Sequence, residues 1–491
     1  MAVIVRGRAL TPFRGYTEFA AQSWALILTL GLFFGWFLSF PLLGPILGRV
    51  TADRGTDPMA LVLSFLAAHA MGLVAAGGLA YCDRRALTLF PLSLLPCIVL
   101  TFSVQGVPVA TWPALFAIMG FFSAPVVIAC ADAFVASVPP SRRGHVLALG
   151  VALANLLVYL ITLASRWAAA PSLVATAALL LTGAVLAIDH SRRQIAVAAQ
   201  GPTVARPTLR ELAPLLSQWP LLAFTSGAYV LGGFMYAVVF PASVEQEPFH
   251  VYYGVLPYIV LVLVAGAIAD GHGRRIGAFL GAATVGVGFV LSELATGPSH
   301  HLIIYTFLIG GLAFLDVFIW TVLADMAVGA RVSLYYGLGL GAKVLAILLG
   351  VMLGGAFVNL TTGEESTVTE VVELSILLTL ALGPALRETL RRTQVRGPAS
   401  LHSSGGLMER VGAVGLTRRE LEVAKLLIAG ASNREMEERL VIAPDTLKTH
   451  LRSIYRKMGV RDRRGLTLVL VEELHRVIKG LEARLEQQAQ G

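Results

Sequence analysis

The chain has 491 residues, of which 56% are hydrophobic and only 14% charged, and its mean hydropathy is +0.74. These values exclude an ordinary water-soluble protein and require an apolar surrounding for much of the surface. The charge is uneven: residues 391–491 hold 19 Lys and Arg against 12 Asp and Glu, whereas residues 1–390 hold 19 against 18.

Arg6, Arg8 and Arg14 precede the first apolar run. That run has span length and no small-residue cleavage site, so it is expected to be an uncleaved first span. Apolar stretches of roughly 20 residues, enough to cross a bilayer, follow one another near 23–44, 59–81, 87–104, 108–136, 145–165, 171–188, 220–241, 251–269, 276–294, 301–327, 333–358 and 368–386. None alternates as a barrel strand does, and backbone groups cannot stay unpaired in hydrocarbon, so all twelve are predicted to be helices. Cys82, Cys97 and Cys130 lie in or beside these runs, with no CxxC pair and no His at ligand spacing. They read as small core residues, and no metal or cofactor is expected.

With the N-terminus inside, the inside segments before the last span hold fourteen arginines, and the outside loops hold Arg49, Arg54 and Arg166. This positive-inside bias, with an even number of spans, places both termini in the cytoplasm of an inner-membrane protein. The loop near 189–219 divides the spans six and six. Repetition agrees: "GGLAYCDRRALT" (77–88) and "AGAIADGHGRRIG" (265–277) occupy equivalent loops, and "ACADAF" (129–134) and "VLADMA" (322–327) repeat similarly.

On these residues, about 20–388 resemble the major facilitator superfamily, whose loop signature runs G-x-L-A-D-x-x-G-R-R. The resemblance implies two six-helix halves, with Gly266, Asp270, Gly273, Arg274 and Arg275 forming a cytoplasmic latch and Asp325 its charge partner. The first-half copy departs from the signature: Asp83 is displaced, the glycine before the Arg pair is missing, and the segment is one residue shorter. Read alone, "DGHGRR" is also a tight turn carrying positive-inside arginines; its repetition favours the latch.

Asp316 and Lys343 fall well inside spans ten and eleven, where an isolated charge costs at least about 2.5–3.5 kcal/mol. Each must face a partner or a cavity. A structural ion pair and a ligand-contacting or proton-linked site both satisfy that requirement. His69 reads as a hydrogen-bonded core residue, and Phe33, Phe34, Trp36, Trp112 and Trp320 read as packing or lipid-facing aromatics. Gly337 and Gly341, then Gly350 and Gly354, are spaced four apart for close helix approach.

After span twelve, residues 387–415 have the Gly/Ser-rich polar composition of a tether. A compact helical segment follows. Thr417 and Glu420 form a capping box, Gly430 ends the helix, Ser432 and Glu435 form a second box, and Pro444 opens a basic helix that runs to Gly459. Helix, short turn and basic helix is the helix-turn-helix arrangement.

"LTRRELEVAKLLIAGASNREMEERLVIAPDTLKTHLRSIYRKMGVRDRRG" resembles the LuxR-type DNA-binding domain along its whole length. The resemblance implies that Thr446 to Arg452 enter the major groove of double-stranded DNA. Ala443 replaces the family's usual capping Ser, and Glu437 stands where a small residue usually packs. Lys448 and Arg452, four apart on one helix face, can reach base edges or phosphates; Arg456 and Lys457 lie nearer the backbone. Asn433 and Thr449 complete the expected interface. Leu470, Leu474, Val477, Leu481 and Leu485 form an apolar stripe, which packs on its own domain or pairs two copies as a homodimer on DNA.

The expected fold is therefore all-α, a polytopic membrane protein of two six-helix halves with a small cytoplasmic helix-turn-helix domain. Its parts are a cytoplasmic N-terminus (1–21), a transporter-like membrane domain (22–388), a linker (389–412) and a LuxR-type domain (413–491). No nucleotide-binding loop, metal cluster or nucleophile–base–acid motif stands out, so no enzyme activity is expected. The most economical function is a one-component regulator in which the membrane domain senses a small-molecule effector. The alternative is a secondary active transporter with an appended regulatory domain.

Overall fold

The computed structural model describes residues 14–360, except 43, 166, 191–218, 238–252, 254, 295–299 and 328–330. Within 417–457 it describes all but 418, 421, 424–425, 427–435, 438–439 and 441. The expected twelfth span, the 389–412 linker, the second capping box, Asn433 and the terminal leucine stripe lie outside these residues. The chain divides into two compact units, Met1–Leu390 and Arg391–Gly491.

The first unit is helical throughout its described elements. Its first half comprises α1 (Arg14–Ser39), α2 (Pro45–Ala52), α3 (Met59–Cys82), α4 (Ala86–Leu89), α5 (Leu94–Ser103), α6 (Trp112–Ser137), α7 (Arg143–Ala164) and α8 (Ala170–His190). Its second half comprises α9 (Trp219–Ala237), α10 (Leu256–Gly271), α11 (Arg274–Leu294), α12 (His300–Met326) and α13 (Arg331–Leu360). Seven helical stretches among the described residues are long and apolar enough to cross a membrane.

One element differs from the sequence expectation, and one adds to it. The third span is not one continuous helix: α4 and α5 are joined by a 3-10 turn at Phe90–Ser93, because Pro91 has no N–H for the preceding helical turn. The segment between the first two spans, for which no element was expected, is partly helical. It folds as α2, which buries Ile46, Leu47 and Val50.

Packing follows from the side chains. Trp36, Phe40, Phe65, Trp112, Phe116 and Phe134 are fully buried, while Leu79, Val99, Leu186 and Phe279 are more than half exposed. Large apolar side chains turned outward in such numbers suit contact with lipid rather than water. Interior hydroxyls are satisfied within their own helices: Thr29, Thr162 and Thr321 each donate to the carbonyl four residues earlier. These hydroxyls thus keep their donors paired inside an apolar bundle.

The two halves meet along two seams, α3 against α13 and α7 against α10. Glycines permit both. A Cβ added to Gly77 would lie 2.6 Å from the Ser333 carbonyl oxygen, and one added to Gly144 would lie 2.5 Å from that of Gly266. Backbones this close leave no room for a side chain, which explains the small residues at both seams.

In the second unit, α14 (Pro444–Lys457) buries Leu447, Leu451 and Ile454 on one face. Val423 and Met436 are buried as well. The three-and-four spacing of these residues gives the helix its inner stripe. Asp445 in its first turn and Arg456 and Lys457 in its last complement the helix dipole.

Candidate functional site

Asp316 on α12 and Lys343 on α13 form an ion pair, with side chains 23% and 17% exposed. Two tyrosines complete the cluster. The Tyr229 hydroxyl donates to Asp316 Oδ1 at 2.6 Å and the Tyr258 hydroxyl to Oδ2 at 2.5 Å, while Lys343 Nζ lies 4.5 Å from the Tyr229 ring centroid. The carboxylate is thus held by three donors from α9, α10 and α13. That arrangement offsets much of the cost of carrying charge into an apolar bundle.

The cluster lines a cavity of about 450 Å³ between the two halves. Phe34 and Phe37 of α1, Leu66 and His69 of α3, Asn155 and Thr162 of α7, and Leu312 and Trp320 of α12 also line it. His69 Nδ1 lies 2.8 Å from Ser123 Oγ and 3.1 Å from the Gly120 carbonyl oxygen, so it is both a hydrogen-bonded core residue and part of the wall. Phe33, Trp36 and Trp112 are buried packing residues, whereas Phe34 and Trp320 face the cavity.

The arginine-bearing loops converge at the other end of the bundle. Asp270, near the end of α10, accepts the backbone N–H groups of Gly144 and His145 at 2.8 Å each. It therefore caps the N-terminus of α7 across the seam, where orphan amides and the helix dipole favour a carboxylate. His145 Nδ1 and Arg274 Nη1 both lie 2.6 Å from the same carboxylate. Asp325 joins Arg274 at 3.1 Å to Arg143 at 2.8 Å, and Arg274 also donates to the Pro140 carbonyl at 2.6 Å.

Gly273 adopts a φ of 97°, a left-handed conformation that L side chains rarely take, so the tight turn before Arg274 requires its glycine. Asp270, Arg274 and Asp325 are thus brought together; the Arg275 side chain lies outside the described set. The first half makes a different closure. Arg84 pairs with Asp132 at 2.7 Å and donates to Ser333 Oγ at 2.8 Å, and Ser333 donates to Asp132 at 2.5 Å. Asp83, extended at the end of α3, accepts the Arg85 N–H at 3.0 Å.

In the second unit, the Thr417 N–H donates to Glu420 Oε2 at 2.6 Å and the Glu420 N–H donates to Thr417 Oγ1 at 3.3 Å. The first capping box is therefore present in both directions. Glu420 also holds Lys457 Nζ at 2.7 Å, tying the start of one helix to the end of α14. Burial of Glu420 acts to raise its pKa, but the hydrogen bonds from Lys457, Ser453 and Thr417 prevail and hold it at about 2, below its ordinary 4.5. Thr446, Lys448, Thr449, Arg452 and Arg456 stand exposed on the outer face of α14.

Residues 414–470 match GerE, described as bacterial regulatory proteins of the luxR family. The C-terminal unit carries a luxR-family DNA-binding domain. The bundle of the first unit is similar to the crystal structure of the human organic anion transporter MFSD10 (TETRAN), with a TM-score of 0.55 and 15% identity. The match covers 73% of this chain and 98% of that one. The membrane unit thus has a major facilitator-like fold.

Within the luxR-family domain, Lys457, which the sequence reading aimed at phosphate, also pairs with Glu420. That bond uses one of its three N–H donors, and Arg456 is exposed at the same end of the helix. Ala443 still supplies a backbone acceptor to the Leu447 N–H at 3.1 Å, although it lacks a hydroxyl for capping.

Sequence reasoning missed Tyr229, Tyr258, Arg143 and His145. The tyrosines are ordinary aromatics in apolar runs until the fold aims their hydroxyls at Asp316. Arg143 counted only among the loop arginines, and His145 stood at the start of the fifth span. The one available signal was the Asp132–Asp325 repeat, since an aspartate at the end of a span calls for a basic partner.

Proposed function

We propose that this protein is a membrane-embedded one-component transcription regulator, in which a small molecule bound between the two halves of the bundle changes DNA binding by the luxR-family domain. One observation carries the reading: a chain with a luxR-family domain also holds a cavity whose polar cluster draws on α9, α10, α12 and α13 beside the seam with the first half. A ligand there bridges the halves. It can shift their balance only through different affinities for two arrangements, and the Asp270–Arg274–Asp325 network is where those arrangements would be distinguished.

On this reading the exposed face of α14 meets double-stranded DNA, with Lys448 and Arg452 toward base edges, Arg456 toward phosphate, and Thr446, Thr449 and Asn433 completing the contact. Two copies would occupy a split operator. Both termini are cytoplasmic in an inner membrane, where the tail reaches the chromosome. No catalytic step is required.

The second reading, a secondary active transporter with a regulatory appendage, is favoured by the transporter-like fold. Two measurements on the full-length chain separate them: an operator–reporter response in cells to candidate small molecules, and uptake of the same compounds into sealed vesicles. A reporter response that depends on the cavity, without carrier-scale uptake, supports the regulator. Uptake that persists when the luxR-family domain is deleted, with no reporter response, supports the transporter.

A further inference from the structure

We infer that the cavity takes a small amphipathic molecule of zero net charge, whose apolar body fills the space beside Phe37 and Trp320 and whose hydrogen-bond acceptor meets Lys343. The inference rests on the reading of the cavity as an effector site and adds the chemistry of the effector.

Charge comes first. Among the described lining residues, Asp316 and Lys343 are the carboxylate and the ammonium, and they are already paired; the imidazole of the wall, His69, has its Nδ1 on Ser123 and Gly120. The wall is balanced without a ligand. An added carboxylate would leave one uncompensated negative charge in largely apolar surroundings, and an added ammonium would face Lys343 with Asp316 already accepting three bonds. Either charge loses water without gaining a full partner.

Hydrogen-bond capacity then sets the polarity of the ligand's head. Lys343 carries three N–H donors. One goes to Asp316, and the Tyr229 ring lies beside the ammonium. The group therefore retains donor capacity on a side chain that faces the cavity. A carbonyl, ether or hydroxyl oxygen can take it while Tyr229 and Tyr258 continue to hold Asp316.

Size and surface agree. About 450 Å³ falls within the range of small-molecule sites, and aromatic and aliphatic side chains form most of the remaining wall.

The test uses purified full-length protein in nanodiscs and four probes of one shape: 2-acetylnaphthalene, 2-naphthoate, 2-naphthylmethylammonium and 2-ethylnaphthalene. Equilibrium dialysis against empty nanodiscs corrects for partitioning into lipid. The ketone is expected to bind on the order of tenfold more tightly than either ion and than the hydrocarbon. In the charge-neutral double variant Asp316→Asn/Lys343→Met, ketone and hydrocarbon should bind alike. A monodisperse elution profile shows that this variant is folded, and Tyr258→Phe, which spares Lys343, should keep the ketone preference.

Absence of ketone binding, equal or tighter binding of either ion, or equal binding of the hydrocarbon to the unaltered protein overturns the inference. The reporter keeps the two readings apart. Ketone binding without a reporter response sinks the regulator and leaves the ligand class standing; a cavity-dependent response to the charged probes alone does the reverse.

Discussion

Asp270 belongs to the second half of the membrane unit, yet it caps the first turn of α7 in the first half through the N–H groups of Gly144 and His145, both at 2.8 Å. A single carboxylate thus closes a helical turn that lies 126 residues earlier in the chain. Because it also holds Arg274, opening this seam would expose two amides and separate Asp270 from His145.

Asp270→Asn keeps the size of the group and removes its charge. On the regulator reading, the effector concentration giving half-maximal reporter response should shift, with a coupling change of about 0.5–2 kcal/mol. The variant is expected to favour the arrangement in which this seam is parted. An unaltered dose–response curve at equal protein level would show that the seam does not set the balance.

Removing one partner of the Asp316–Lys343 pair should cost more than removing both. A single deletion from a buried pair costs about 3–5 kcal/mol; partial exposure and the two tyrosine donors should bring Lys343→Met toward or below the lower end. Asp316→Asn/Lys343→Met should recover part of that loss. Thermal unfolding of all four proteins in one detergent gives the double-mutant cycle, and strictly additive losses would mean that the two groups are independent.

The luxR-family domain should weaken in acid through Glu420. Its folded pKa of about 2 lies below the ordinary 4.5, so its contribution is complete above about pH 4.5 and is lost as pH falls through about 2. Glu420→Gln and Lys457→Met should each flatten the dependence of stability in that window, and Thr417→Ala should cost about 1 kcal/mol at neutral pH by removing the cap. Helical circular dichroism of residues 405–491 against denaturant at several pH values measures this, and an unchanged pH profile in Glu420→Gln would exclude that carboxylate.

The same fragment, expected to fold alone and to bind its operator more weakly than the intact protein, tests the DNA face. Lys448→Ala should reduce discrimination between operator and random DNA, by about 1–3 kcal/mol if the contact is to a base edge. Arg456→Ala should weaken both and lower the salt slope by about one. Lys457→Ala should act mainly through stability, because its ammonium is engaged by Glu420. Gel-shift titrations at two salt concentrations separate the three outcomes, and indistinguishable binding by Lys448→Ala would remove α14 as the reading helix.

Much of this organisation was legible in the order of residues because it is local. Apolar runs of span length mark membrane helices, arginines mark the loops on one side, and Thr417 with Glu420 marks a helix start, since each signal acts over a few turns of chain. Tertiary structure decided the partnerships. Tyr229, Tyr258 and Lys343 come from three helices to meet on Asp316, Arg143 reaches Asp325 across 182 residues, and Lys457 reaches Glu420 across 37. Sequence specifies that a charge within an apolar helix needs a partner, because isolation in low dielectric is costly. Which partner it finds depends on how the helices pack, and that is a property of the folded bundle.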